Sequence, residues 1–377
     1  MGLEVKPVDG KKMRKQFIEI EFLMNREDPN WVPPLLADRR AAFDTQSNPI
    51  FEHTEVAFFL AYRDEKPVGR ITAHLDRIHL ERHKDETGFF GFFQCENRPE
   101  TARALLDTAE AWLREKGLKA SRGPMSFNTN EEFGCLIEGF DRPPMLLMPH
   151  NPSYYRDLIE GCGYAKCVDT YCWWYDNQKT LPPEVDKIIA RTKRIPNLEI
   201  RQADVKHFED EVRLIMKIWN SAWAANWGFV PLSEREIMKA AADLKMIVDP
   251  RLVFFIEVEG RPIAYAAAFP NINEAIRDLD GKLFPFGILK LLWRVKVKKP
   301  KTARVMMLGI EPEYRGMHLM GLSVLMYKEL YDRSREAGYI GGELSWTLES
   351  NKAINKGIEF MGGERYRTMR VYEKKLG

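Results

Sequence analysis

The sequence predicts an α/β (α+β) protein of two tandem domains of one kind, each a mixed, mostly antiparallel sheet flanked by helices. Three observations point there. The 377 residues exceed the size at which one hydrophobic core usually keeps growing. Residues 58–68, FFLAYRDEKPV, return as residues 254–263, FFIEVEGRPI, with one residue dropped from the turn. Each copy reads strand, polar turn, strand, and each follows an Asn-Trp pair near a proline (Asn30-Trp31 before Pro33, Asn226-Trp227 before Pro231), at an offset of about 195 residues. Further on, residues 151–163 match residues 351–363 with the same Asn-to-Gly interval. The first copy's last strand, residues 171–175, gives way to the polar, proline-rich run 176–183, which sets the expected domains at 1–177 and 178–377.

In the second copy, apolar residues recur at helical spacing over 205–225 and 233–244, with Ser233 placed to cap and Glu236 three residues on. Residues 252–258 and 262–269 read as strands joined by the turn pair Glu259-Gly260. After an irregular stretch, 303–310 is a strand, and 319–337 is a helix with Leu322, Leu325, Met326 and Leu330 on one face. Residues 343–348 form a strand, 352–361 a short helix stopped by Gly362-Gly363, and 366–374 the final strand. Hairpins combined with helical crossovers imply a mixed sheet under helices.

Composition narrows the function classes. An apolar fraction of 45% and an aromatic fraction of 11% supply cores and exclude disorder. Lys plus Arg number 57 against 55 Asp plus Glu, so the chain lacks the basic excess of a dedicated nucleic-acid binder, and DNA is not an expected partner. The five cysteines form no CxxC pair. His74, His79 and His83 sit among Arg and Lys without the glutamate of a metal helix, so no metal is expected. Residues 1–15 are charged and lack the apolar run of a signal peptide, and no stretch approaches the roughly 20 apolar residues of a membrane span, so a cytoplasmic location is expected. Residues 290–304 hold seven basic residues and no acid, interleaved with Leu291, Leu292, Trp293, Val295 and Val297. That basic patch reads as a solvated edge or as a surface for an anionic membrane or polyanion.

Between the strand ending at Ile310 and the helix from Leu319 lies Glu311-Pro312-Glu313-Tyr314-Arg315-Gly316-Met317-His318. A short loop entering a helix exposes unpaired N–H groups and the positive end of the helix dipole, which suits an anion. The segment resembles the cofactor signature of the GNAT N-acyltransferase superfamily, Arg-Gly-x-Gly-x-Gly/Ala running from a strand into a helix. Asn351, Ala353 and Gly362-Gly363 resemble that superfamily's later motif, and the whole chain resembles a group of uncharacterised bacterial tandem GNAT-like proteins. The resemblance implies that Met307, Leu308, Gly309 and Ile310 offer backbone partners to a pantetheine arm. It implies that Arg315, Gly316, Met317, His318, Leu319, Met320 and Gly321, with Asn351, hold the remainder of acetyl-CoA or another acyl-CoA.

Three positions depart from the family pattern: His318 replaces the second glycine, Met320 the Gly or Ala, and Ile358 the tyrosine that often protonates the leaving thiolate. In the first copy the loop is Cys95-Glu96-Asn97-Arg98-Pro99-Glu100, without glycine, so no CoA is expected there. The resemblance implies attack of an amine on a thioester, and Glu311, His318 and Glu349 are the candidate bases. The acceptor is then a small-molecule or peptide amine, and a homodimer is left open. Two other readings stand beside this one: a transferase of the Fem type, which takes aminoacyl groups from tRNA on a duplicated version of the same fold, and a non-catalytic binding protein with two decayed loops.

Overall fold

The computed structural model describes residues 2–315 and 319–377, the side chains of Leu319 and Met320 excepted. The chain forms two compact units: Met1–Thr170 with Ile276–Ile288 and Arg367–Gly377, and Tyr171–Ala275 with Leu289–Tyr366.

The first unit is built from β1 (Leu3–Pro7), α1 (Gly10–Asn25), α2 (Leu36–Ala42), β2 (Thr54–Arg63), β3 (Lys66–Asp76), α3 (Arg77–His83), β4 (Thr87–Cys95), α4 (Pro99–Glu115), β5 (Ala120–Gly123), β6 (Cys135–Glu138), α5 (Tyr155–Gly161) and the first residues of β7 (Ala165–Asp176). Strands β1 to β4 are antiparallel neighbours, β4 and β5 run parallel, and residues from Arg367 onward in the last strand pair with β5 and β6. Pro99 opens α4 at a position where a missing N–H costs nothing, and Ala102, Leu105, Leu106, Ala109 and Leu113 put one apolar face onto the sheet. On the α1 side of the sheet, Arg70 of β3 is fully buried against the rings of Phe17, Phe43 and Phe92. It donates to the carbonyls of Phe17 (2.6 Å) and Phe92 (3.0 Å) and to Glu21 (2.8 Å), and Arg39 bridges Glu21 to Glu132.

The second unit contains the end of β7, α6 (Glu184–Thr192), β8 (Leu198–Gln202), α7 (Phe208–Ala222), α8 (Glu234–Lys245), β9 (Val253–Val258), β10 (Arg261–Pro270), β11 (Thr302–Ile310), α11 (Leu319–Glu336), β12 (Gly341–Leu348) and α12 (Lys352–Phe360). The short helices α9 (Asn273–Ile276) and α10 (Gly287–Trp293) lie between β10 and β11, and β13 (Glu364–Lys375) closes the chain. The strand order is β8-β9-β10-β11-β12-β7, antiparallel from β8 to β11 and parallel from β11 to β12 across helix α11. The β9–β10 hairpin turns at Glu259 and Gly260, with φ of 54° and 74°, the two positive values that a tight hairpin turn of this hand requires. Ser233 and Glu236 form the expected capping box of α8. Leu322, Leu325, Met326 and Leu330 of α11 pack on Phe254, Ala266 and Ala303, as their spacing predicts.

Two differences from expectation have local causes. The helix expected over 205–225 is shorter, because Asp204 caps a 3₁₀ turn over Val205–His207 before α7 begins. The basic run does not continue on the surface to Arg304: that side chain is on β11, 5% exposed and paired with Glu343. Among the described residues no helix is long and apolar enough to cross a membrane.

Candidate active site

Strands β11 and β12 are in register through Thr302–Gly341, Ala303–Gly342, Arg304–Glu343 and Val305–Leu344, and the ladder ends there although both strands continue. Next to the parting point, β11 carries a bulge. Ala267 of β10 faces Met307 while Ala268 faces Val305, so Met306 is the extra residue. The parted strands make a V whose β11 arm leads to the loop before α11.

A buried polar cluster lies at the vertex. The carboxylate of Glu343, wholly buried, accepts from Ser345 Oγ at 2.5 Å and from the Tyr366 hydroxyl. Arg304 donates from Nε to Ser345 Oγ at 2.7 Å and lies 3.5 Å from Glu343, so the buried acid has a buried base beside it. Trp223, just after α7, stacks on Trp219 and meets Trp346 edge-on, and its Nε1 donates to the Leu308 carbonyl at 3.1 Å. Tyr265 is fully buried opposite Gly309, and burial pushes its phenol well above the ordinary value. The Tyr265 hydroxyl and Trp219 Nε1 are among the buried polar atoms without a hydrogen-bond partner, a condition that a bound polar group would relieve. On the α11 side, Leu252, Ala268, Val305, Tyr327, Leu344 and Met361 line a small, mostly apolar cavity, part of it open to solvent.

The residues singled out in the sequence fall into several places. Met307, Leu308, Gly309 and Ile310 are the arm of β11 beyond the bulge, paired with β10 on their other edge. Glu311 is buried, with Oε2 accepting from Ser221 at 2.5 Å. Arg315 turns back into the protein, donating to the carbonyls of Ile310 (3.0 Å) and Ala222, and so ties the end of β11 to the end of α7. Gly316, Met317 and His318 lie outside the described residues, and Leu319 and Met320 open α11. Gly321 faces α6: a Cβ there would lie 2.4 Å from Thr192 Oγ1. Asn351 caps α12, accepting from the Ile354 N–H at 3.3 Å, and Glu349 directly follows β12. Ile358 is buried in a cluster with Trp173, Val324 and Tyr327.

Sequence reasoning passed over Glu343, Arg304 and Tyr366. The available signal was a carboxylate in the middle of an otherwise uncharged strand, Gly341–Leu348, with an arginine on the strand before it.

The first unit treats the corresponding loop differently. Glu96, just before α4, accepts from Thr101 Oγ1 at 2.7 Å and pairs with Arg63 at 3.0 Å, so the chain's own carboxylate stands at that helix N-terminus. The histidines of this unit are engaged as well: His74 Nε2 meets the Phe127 carbonyl at 2.9 Å, and His79 pairs with Asp85 at 3.1 Å.

This architecture is that of tandem GNAT proteins. A tandem GNAT protein from the clavulanic acid biosynthesis pathway superposes over 100% of this chain and 99% of its own, with a TM-score of 0.57 at 12% identity. A GCN5-related N-acetyltransferase from Sphaerobacter thermophilus covers 99% of this chain and 96% of its own, with a TM-score of 0.53 at 10% identity. No family model matches the sequence. Sequence comparison is more specific: the chain belongs to the family of the bacterial ceramide synthase of Caulobacter vibrioides, to which it is 40% identical over 377 residues, 99% of this chain and 98% of that one. Protein YghO of Escherichia coli is 38% identical over 364 residues, 96% of this chain and 93% of its own.

Proposed function

We propose that the chain is an acyl-CoA-dependent N-acyltransferase that joins a fatty acyl group to the amine of a long-chain amino alcohol, giving a ceramide-type amide. Residues 178–377 are the acyl-CoA-binding copy in this reading, and residues 1–177 a copy without a cofactor loop. The observation that carries it is the end of the β11–β12 ladder at Val305–Leu344, which opens a V whose β11 arm runs on to an 18-residue helix. Parted strands free backbone groups for an amide-bearing arm, and a helix N-terminus favours a phosphate. The 40% identity to a ceramide synthase over 99% of this chain supports the choice of acceptor.

In the transfer, the amine nitrogen forms a bond to the thioester carbonyl carbon, the C–S bond breaks, and the sulfur leaves as CoA. The nitrogen must lose a proton. We assign its acceptance to Glu343, through the Tyr366 hydroxyl that donates to it, in preference to Glu311, His318 or Glu349. Arg304 then holds the carboxylate in place.

The test is incubation of the purified protein with acyl-CoAs of increasing chain length and a sphingoid base. Thiol release is followed by colorimetry, and the amide by mass spectrometry. Amide formation with long-chain donors is expected. Thiol release with no acceptor selectivity would remove the ceramide assignment, and no turnover or binding of any acyl-CoA would return the choice to the tRNA-dependent or non-catalytic readings.

A further inference from the structure

From Leu289 to Thr302 the chain has no acidic residue, and it carries Lys290, Arg294, Lys296, Lys298, Lys299 and Lys301. The same segment turns its large apolar side chains outward. Leu291 of α10 is buried, but Leu289, Leu292 and Trp293 of that helix are exposed, Trp293 at 55%. Val297 in the following turn is 66% exposed. Met246 is also exposed, and its carbonyl accepts from Lys296 Nζ at 3.0 Å. Scattered exposed apolar residues are ordinary on a protein surface. A tryptophan and three aliphatics within nine residues are not, and such a run marks a binding surface.

The charge pattern selects the occupant. Every formal charge in the segment is positive, so the partner is anionic, and it must also receive side chains that offer no hydrogen bond. A nucleic acid or an acidic protein answers the first requirement and leaves Leu289, Leu292 and Val297 in water. An anionic bilayer answers both, because phosphate headgroups lie directly above acyl chains. Aromatic and aliphatic side chains then enter the interface while lysines reach back to the headgroups.

We propose that residues 289–301 dock the protein reversibly onto anionic phospholipid bilayers, with the end of α10 lying in the plane of the surface. The proposal does not depend on acyl transfer, since binding is measured without acyl-CoA.

The test is co-sedimentation of the full chain with vesicles of phosphatidylcholine alone and of equimolar phosphatidylglycerol and phosphatidylcholine. Binding to the anionic vesicles is expected. Trp293→Glu with Val297→Glu should lower it at least tenfold, and Lys296→Glu with Lys298→Glu about fivefold per charge at low salt, from roughly 1 kcal/mol per basic residue near such a surface. These side chains are exposed, so both variants should keep the wild-type melting temperature, which checks that binding and not folding has changed. Brominated lipid should quench the wild-type fluorescence more than that of Trp293→Phe. The proposal is overturned if the wild type ignores anionic vesicles. It is equally overturned if the Trp293/Val297 variant binds them as well as the wild type does, and RNA binding that survives in that variant would then identify a purely electrostatic polyanion surface.

Discussion

Removal of Glu21 should destabilise the first unit more than any single ion pair on its surface. Glu21 is the carboxylate that faces Arg70, whose guanidinium is otherwise surrounded by three aromatic rings and two carbonyls. Burial alone would raise the Glu21 pKa, and the charges of Arg39 and Arg70 reverse this and hold it below the ordinary range. Glu21→Leu strands Arg70 as an uncompensated buried cation, while Arg39 retains Glu132. Breaking such a pair on one side costs about 3–5 kcal/mol, against about 0–1 kcal/mol for an exposed pair. Adding Arg70→Met removes the stranded charge and fills the space with an apolar chain of similar length, so the double variant should recover at least half of the loss. The measurement is chemical denaturation of the full chain, read by near-ultraviolet circular dichroism across wild type, both single variants and the double. A Glu21→Leu cost below about 1 kcal/mol, or a double variant as unstable as the two singles added, would refute the reasoning.

Other outcomes follow from the same geometry. Glu343→Gln keeps the shape of the buried cluster and loses the proton acceptor, so turnover should fall about 10²–10⁴-fold with acyl-CoA affinity unchanged, as calorimetry would read. Gly321→Ala should cost about 1–3 kcal/mol, because the new Cβ would sit 2.4 Å from Thr192 Oγ1, and Thr192→Ala should restore most of it in thermal melts of the pair. Burial lowers the His74 pKa from 6.5 to about 4, so this side chain stays neutral in the folded unit while an unfolded chain takes up its proton. Stability should therefore decline as pH falls from 6.5 towards 4 and stop changing on this account below that, by about 3 kcal/mol in all. His74→Gln should flatten that window in unfolding measured against pH.

What could be read from the chain was whatever depends on neighbours in sequence. The Glu259-Gly260 turn, the Ser233–Glu236 cap and the apolar face of α11 are each set within a few residues, and each is found where periodicity places it. Arg304, Glu343 and Tyr366 escaped because their meeting depends on the register of β11 with β12 and on the approach of β13, which no local pattern encodes. Arg315 shows how one spacing serves two readings: the position that suggests a phosphate ligand also suits a side chain that returns to the carbonyls of Ile310 and Ala222. The division of β13 at Arg367, with its later residues on β5 and β6, likewise has no signature in the residues of β13 themselves.

Met306 makes one strand behave as two phrases in different reading frames. Before the bulge the odd positions Ala303 and Val305 pack toward α11, and after it the even positions Leu308 and Ile310 do. Substitution at Met306 leaves that phase intact. Deletion of this single residue would make Val305–Ala268 and Met307–Ala267 consecutive pairs of a regular ladder, so every side chain from Met307 to Ile310 would keep its face and only the bulge would be lost. The extra residue therefore serves the local bend and twist of the strand, while the pairing with β10 on either side of it sets which side chains face α11.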